Sequence, residues 1–304
     1  MKLQGCGTAL VTPFLPDGSL DEPSLRTLVE SQLAQGISLL IPCGTTGEAA
    51  TLTEAETDRV IEITIETTAG RAPVFAGCTH NSTAQAVANA KRIAKIPNLT
   101  GILTANPYYN RPNQEGQFQH FRAIAEAVDL PILLYNIPSR TATNLLPETV
   151  LRLAEIPNIT AIKESSGVMG QITELLTHAP STFSVLAGDD ALALPVIALG
   201  GTGLVSVASN AIPGPMSLMI AAALSGDWVT ARDLNKRYYA LMQAHFIEPS
   251  PAPIKATLAL LGRCSETLRL PMVPVTEPTR TKLQSLLQDL NLLPPAEAAH
   301  SRKP

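Results

Sequence analysis

Lys163 is the residue of this 304-residue chain best placed to do chemistry. It closes the run Ile159-Thr160-Ala161-Ile162, a short apolar stretch that predicts a buried strand. Burial disfavours an ammonium and lowers its pKa. The neutral amine that results can attack a ketone and form a Schiff base. The alternative is a structural ion pair with the adjacent Glu164. The other lysines sit in helical contexts: Lys91 and Lys95 share a charged face, Lys236 lies near Arg232 and Arg237, and Lys255 opens a Pro-rich helix. Tyr135 ends a second apolar run, Ile132–Asn136. A phenol near an amine relays protons; otherwise it is a core tyrosine with a satisfied hydroxyl. Gly44-Thr45-Thr46-Gly47 is a small, hydroxyl-rich loop whose hydroxyl and N–H groups suit a carboxylate, or it is an ordinary turn. Arg140, in Ser139-Arg140-Thr141, offers a bidentate clamp for a second carboxylate, or is a surface arginine.

Rival chemistries fare less well. Glu48, Glu164, Asp189 and Asp190 raise a glycosidase, which needs two carboxylates across a sugar bond. Asp189 and Asp190 precede a helix and read more simply as N-caps. One Trp and 4% aromatics leave few platforms for sugar stacking. Cys6, Cys43, Cys78 and Cys264 are scattered, with no C-x-x-C pair, and the five histidines form no H-x-x-x-H unit. No metal site is expected from such spacing.

These residues need a scaffold that brings strand ends together. A short apolar run followed by an amphipathic stretch recurs about eight times. Thr8–Val11 precedes Asp21–Gln35, and Leu39–Pro42 precedes Thr53–Ala69, which opens with the capping box Thr53-Glu54-Ala55-Glu56. Val74–Ala76, Gly101–Ala105, Ile132–Asn136, Thr160–Glu164, Phe183–Ala187 and Thr202–Val207 continue the series, each with its helix. Eight βα units are what a closed α/β (β/α)₈ TIM barrel requires. Its strands are buried on both faces and so read as short apolar runs. The first strand is not followed by G-x-G-x-x-G, which disfavours an open dinucleotide-binding sheet. Residues 1–224 are predicted as the barrel and 225–293 as a C-terminal helical extension formed by Trp228–Phe246, Pro253–Leu261 and Glu277–Leu290. The small, Pro-rich tail 294–304 is predicted to be flexible. In a barrel the chemistry gathers at the C-terminal strand ends. That places Thr45, Tyr135, Arg140, Lys163 and Gly188 at one mouth, with Tyr135 and Lys163 on neighbouring strands.

Hydrophobic residues make up 45% and charged residues 16%, a composition for a folded core. The net charge of −4 provides no basic excess for nucleic acid or anionic lipid. No run reaches the roughly 18 apolar residues of a membrane span, and the opening MKLQGCGTALVTPF is no signal peptide. A cytoplasmic protein is expected.

Taken together, several stretches resemble one family over nearly the whole chain. G-T-T-G-E at 44–48, P-Y-Y-N-R-P at 107–112, L-Y-N-I-P-S-R-T at 134–141, I-K-E at 162–164, G-D-D at 188–190 and L-R-L-P-M at 268–272 carry it. The pattern is similar to the dihydrodipicolinate synthase branch of the pyruvate-dependent aldolase and lyase superfamily. The resemblance implies that Lys163 forms a Schiff base with pyruvate and Tyr135 shuttles protons. It implies that Thr45 and Tyr109 complete the relay, with Tyr109 reaching into a neighbouring subunit's site. Thr45 and Thr46 would hold the pyruvate carboxylate, Arg140 would receive L-aspartate 4-semialdehyde, and Gly188 and Val205 would shape the site. The implied product is 4-hydroxy-tetrahydrodipicolinate, on the route to diaminopimelate and lysine. The iminium is itself the electron sink, so neither metal nor organic cofactor is implied. A homotetramer built as a dimer of dimers is implied too. Two further readings stay open: a sibling lyase or aldolase acting on a keto-sugar acid, and a non-catalytic barrel that binds a small carboxylic acid. Asn81 and Tyr108 match the lysine pocket of inhibited members, whereas Ala49, Glu54, Thr57 and Gln85 depart from it. Weak or absent lysine feedback is therefore expected.

Overall fold

The computed structural model describes residues 2–293, so the predicted tail 294–304 lies outside the described residues. The strands are β1 (Gly5–Ala9), β2 (Leu39–Ile41), β3 (Phe75–Gly77), β4 (Gly101–Ala105), β5 (Ile132–Asn136), β6 (Ile159–Glu164), β7 (Ser184–Ala187) and β8 (Gly203–Ser206). All pairings between them are parallel, in the order β2-β1-β8-β7-β6-β5-β4-β3. A parallel bridge between Leu40 and Val74 and a Gly77 N–H to Pro42 C=O bond of 2.9 Å join β2 to β3. The sheet thus forms a nearly closed TIM barrel. At that seam a side chain on Gly77 would put its Cβ 1.9 Å from the Cys43 carbonyl oxygen, so only glycine fits.

The helices between strands are α1 (Glu22–Ala34), α2 (Glu54–Thr68), α3 (Thr83–Ile93), α4 (Gln114–Ala125), α5 (Pro138–Thr141), α6 (Pro147–Ala154), α7 (Met169–His178), α8 (Ala193–Ala198) and α9 (Pro213–Ser225). Three more, α10 (Trp228–Ala244), α11 (Ala252–Leu260) and α12 (Glu277–Asp289), follow the barrel. Helix α2 starts at the predicted capping box: the Glu56 N–H donates to Thr53 Oγ1 and the Thr53 N–H to Glu56 Oε2. The α1 stripe Leu25, Leu28 and Val29 is buried.

Two apolar layers result. Leu39, Ile41, Phe75, Leu133, Ala161 and Val205 fill the barrel interior. Ile162, Val185, Leu204 and their neighbours pack between strands and helices. Side chains alternate along a strand. Lys163 therefore shares the interior side with Ala161, and Glu164 shares the outer side with Ile162.

Two expectations need correction. The first strand runs Gly5–Ala9 instead of Thr8–Val11. Gly5 and Gly7 hide its β-character in the sequence, and pairing with both β2 and β8 sets its place. The short helix α5, which carries Arg140, has no apolar repeat to announce it; Pro138 at its first turn fits. The three helices expected beyond the barrel are present, and residues 262–276 form an irregular span between α11 and α12. Gly262, Pro271 and Pro274 explain the break. No helix among the described residues is long and apolar enough to cross a membrane.

Candidate active site

Strand register brings the two principal residues side by side. Tyr135 on β5 pairs directly with Lys163 on β6. The Lys163 Nζ lies 4.3 Å from the centroid of the Tyr135 ring, and both side chains are buried, at 5% and 6% exposure. Burial lowers the Lys163 pKa to about 8; the Arg140 charge adds to this, and the buried Asp190 opposes it. Near pH 7 about one amine in ten is then neutral, against fewer than roughly one in a thousand for an ordinary lysine. Burial also raises the Tyr135 phenol to about 12, so it holds its proton at neutral pH.

The ion-pair alternative for Lys163 does not hold. Glu164 is turned away and buried, accepting the Ser166 N–H at 2.6 Å and the Asn136 side-chain amide at 3.0 Å. No carboxylate among the described residues lies within salt-bridge distance of Lys163. The acidic pair after β7 divides its work. Asp189 accepts the Ala191 N–H at 2.9 Å, as a cap should. Asp190 is not a surface cap. It is 1% exposed, accepts the Ser206 hydroxyl at 2.5 Å and takes the Val207 and Ala208 N–H groups. It ties the end of β7 to the end of β8.

A cavity of about 650 Å³ opens beside Tyr135; Lys163 and Gly188 are not among its lining residues. Its wall includes Thr45, Tyr135, Ile137 and Arg140, and, from beyond the barrel, Pro251 and Met272. Thr45 is exposed and lines it, whereas Thr46 is 5% exposed and is not among the lining residues. The N–H groups of Thr45 and Thr46 have no protein acceptor among the described residues. Arg140 is exposed, and one of its terminal nitrogens donates to the Ser250 carbonyl at 3.1 Å. Val205 is fully buried in the interior layer. Tyr109 is not part of this cavity: it is 88% exposed, with a left-handed backbone at φ 73. Ala49, Glu54, Thr57, Gln85 and Tyr108 line an outer part of the same cavity, while Asn81 does not.

Gly188 is a spacing device. A Cβ there would stand 2.9 Å and 3.0 Å from Lys163 Cγ and Cε and 1.9 Å from Ser165 Oγ. Gly188→Ala is therefore expected to shift the amine and lower its capture of a keto acid by about 10²-fold, with the barrel still folded by circular dichroism. Unchanged capture in a folded Ala variant would show that the close fit has no consequence.

Other nucleophiles are poor. Burial raises the Cys43 and Cys78 thiols to about 12, so neither is a thiolate at neutral pH. No three His, Cys, Asp or Glu side chains among the described residues converge on a metal position. One feature escaped the sequence reading. Lys255 is completely buried against Glu48, although its helical setting suggested an ordinary lysine. The signal was present in its neighbours: Ala252–Leu260 reads APIKATLAL, a helix apolar nearly all round.

Comparison with known proteins agrees with this geometry. A sequence model of the dihydrodipicolinate synthetase family matches residues 2–290. A 4-hydroxy-tetrahydrodipicolinate synthase of Acidobacterium capsulatum is 59% identical over 294 residues, covering 96% of this chain and 97% of that protein. The crystal structure of dihydrodipicolinate synthase from Aquifex aeolicus superposes with a TM-score of 0.92 at 40% identity, over 95% of this chain and 99% of that one. A structure described as the first monomeric dihydrodipicolinate synthase variant gives 0.94 at 39% identity, over 96% and 98%. With a barrel, a buried strand lysine and whole-chain similarity in agreement, the chain belongs to the dihydrodipicolinate synthetase family.

Proposed function

We propose that this protein is a 4-hydroxy-tetrahydrodipicolinate synthase that condenses pyruvate with L-aspartate 4-semialdehyde. The observation that carries the reading is the Lys163 amine, buried in the barrel against Tyr135 with no carboxylate among the described residues within salt-bridge distance. The neutral amine attacks the pyruvate ketone, water leaves, and an iminium forms on Nζ. Loss of a methyl proton turns the iminium into an enamine, whose carbon attacks the aldehyde of the second substrate. The amino group of that substrate then closes the ring onto the former ketone carbon and releases Lys163.

The surrounding groups take matching parts. The free N–H groups of Thr45 and Thr46 receive the pyruvate carboxylate. Tyr135 carries protons to and from the reacting carbons, with Thr45 linking it to solvent. Gly188 and Val205 set the space around pyruvate. Arg140 meets the carboxylate of the semialdehyde from across the cavity. Tyr109 is fully outside its own cavity, which suits a role in the site of a second copy. A homo-oligomer, assembled as a dimer of dimers in the cytoplasm, is the working form we infer.

Incubation with pyruvate and borohydride, followed by intact mass and peptide mapping, tests the reading. A reduced pyruvate adduct on Lys163 is expected. No adduct, or one on exposed Lys91, sinks the proposal. Tyr135→Phe is expected to keep that adduct while slowing condensation by about 10²-fold, the loss typical of an acid–base group. Near-normal turnover in this variant would remove Tyr135 from the relay.

A further inference from the structure

Lys255 is buried more completely than Lys163, at 0% against 5% exposure, and its partner Glu48 is buried too. Lys255 Nζ lies 2.5 Å from Glu48 Oε1 and donates to the Thr267 carbonyl at 2.8 Å. Glu48 Oε1 has no other partner among the described residues, and Oε2 accepts the Arg269 N–H at 3.1 Å. Phe14, from the β1–α1 connection, lies against both cations, with its ring centroid 4.2 Å from Lys255 Nζ and 4.3 Å from the Arg269 guanidinium. Arg269 continues outward to the Gly18 and Thr51 carbonyls and to Glu56 at the start of α2. Three distant stretches of chain therefore meet at one carboxylate.

That carboxylate ends the loop that carries Thr45. The Glu48 N–H donates to the Thr45 carbonyl at 3.1 Å, and both residues line the cavity. Glu48 has φ 54, a left-handed conformation that a non-glycine residue keeps only when its surroundings hold it. A buried ion pair adds little net stability over an apolar pair of similar volume. It does impose one distance and one direction between two segments. We infer that Glu48 and Lys255 are positioning residues, and that their contact holds the Thr45 hydroxyl on the Tyr135 side of the cavity. The helices beyond the barrel thereby take part in setting the reaction geometry. This inference rests on the Schiff-base reading above.

The test uses the full chain and the charge-free double variant Glu48→Gln/Lys255→Met, with and without Thr45→Val. Each single change strands a buried charge and risks unfolding, whereas the double change leaves no charge unpaired and loses only the Lys255 bond to the Thr267 carbonyl. The double variant is expected to melt close to the parent and to keep its KM for pyruvate, while kcat falls about 10- to 100-fold. In the Thr45→Val background the same double change should lower kcat by less than about threefold, because the group it positions is already gone. Undiminished kcat in the folded double variant overturns the inference. So does a loss that multiplies with that of Thr45→Val. Borohydride trapping in the parent separates the two levels. No Lys163 adduct means the Schiff-base reading has failed and takes the inference with it. An adduct together with multiplying losses overturns the positioning role alone.

Discussion

Lys163→Met is expected to lower turnover by about 10⁴-fold or more, the scale of a lost nucleophile, and to leave no pyruvate adduct after reduction. Methionine has nearly the volume of lysine and no charge, so the interior around Ala161 and Tyr135 stays filled. The variant should fold as well as the parent, because the buried ammonium costs free energy and has no partnering carboxylate. A pH signature accompanies the change. Lys163 titrates near 8 in the folded protein and near 10.4 when unfolded. Between those values the unfolded chain binds more protons, so stability rises with pH across that window. The methionine variant loses this rise. In the parent, adduct formation at limiting pyruvate should climb tenfold per pH unit below about 8 and level off above it. A Lys163→Met enzyme that still turns over at a parental rate would remove the Schiff base from the mechanism.

Arg140→Ala has the second largest expected effect, about a 10³-fold fall in kcat/KM for L-aspartate 4-semialdehyde. That corresponds to losing a charge-assisted contact of roughly 4 kcal/mol, within the range for a truncated ion pair. Arg140 sits on the cavity wall, and the Ser250 carbonyl takes only one of its five N–H donors. The others have no partner among the described residues and can take a carboxylate. Pyruvate capture on Lys163 should persist, because the two carboxylates have separate receivers. Arg140→Lys keeps charge but not the planar fork, so it should recover only part of the activity. A change smaller than about threefold in the alanine variant would favour a lyase acting on a keto-sugar acid.

The repeating units were legible because their physics is local. Short apolar runs, amphipathic stretches and capping residues marked the strands and helices within a few residues, and eight units implied a closed sheet. The first strand was the poorest placed, since its glycines carry no β-signal. Residues 262–276 lie between two expected helices, and Arg269 anchors them over the barrel mouth by contacts distant in the chain, which no local pattern announces. The candidate site was legible in part. The unusual feature of Lys163, a basic residue in an apolar run, needs no structure to see. Its freedom from Glu164 does, because a one-residue register slip would exchange their faces.

The sequence by itself determined which segments bury and which residue types stand at the strand ends. Those depend on side-chain period and composition along a few neighbouring residues. The tertiary structure alone decided the partner of every buried charge. Lys163 gained an aromatic face, Asp190 a set of N–H and hydroxyl donors, and Glu48 a lysine from beyond the barrel. A buried charge is stable only where distant groups satisfy it, and closure of the barrel sets which groups arrive.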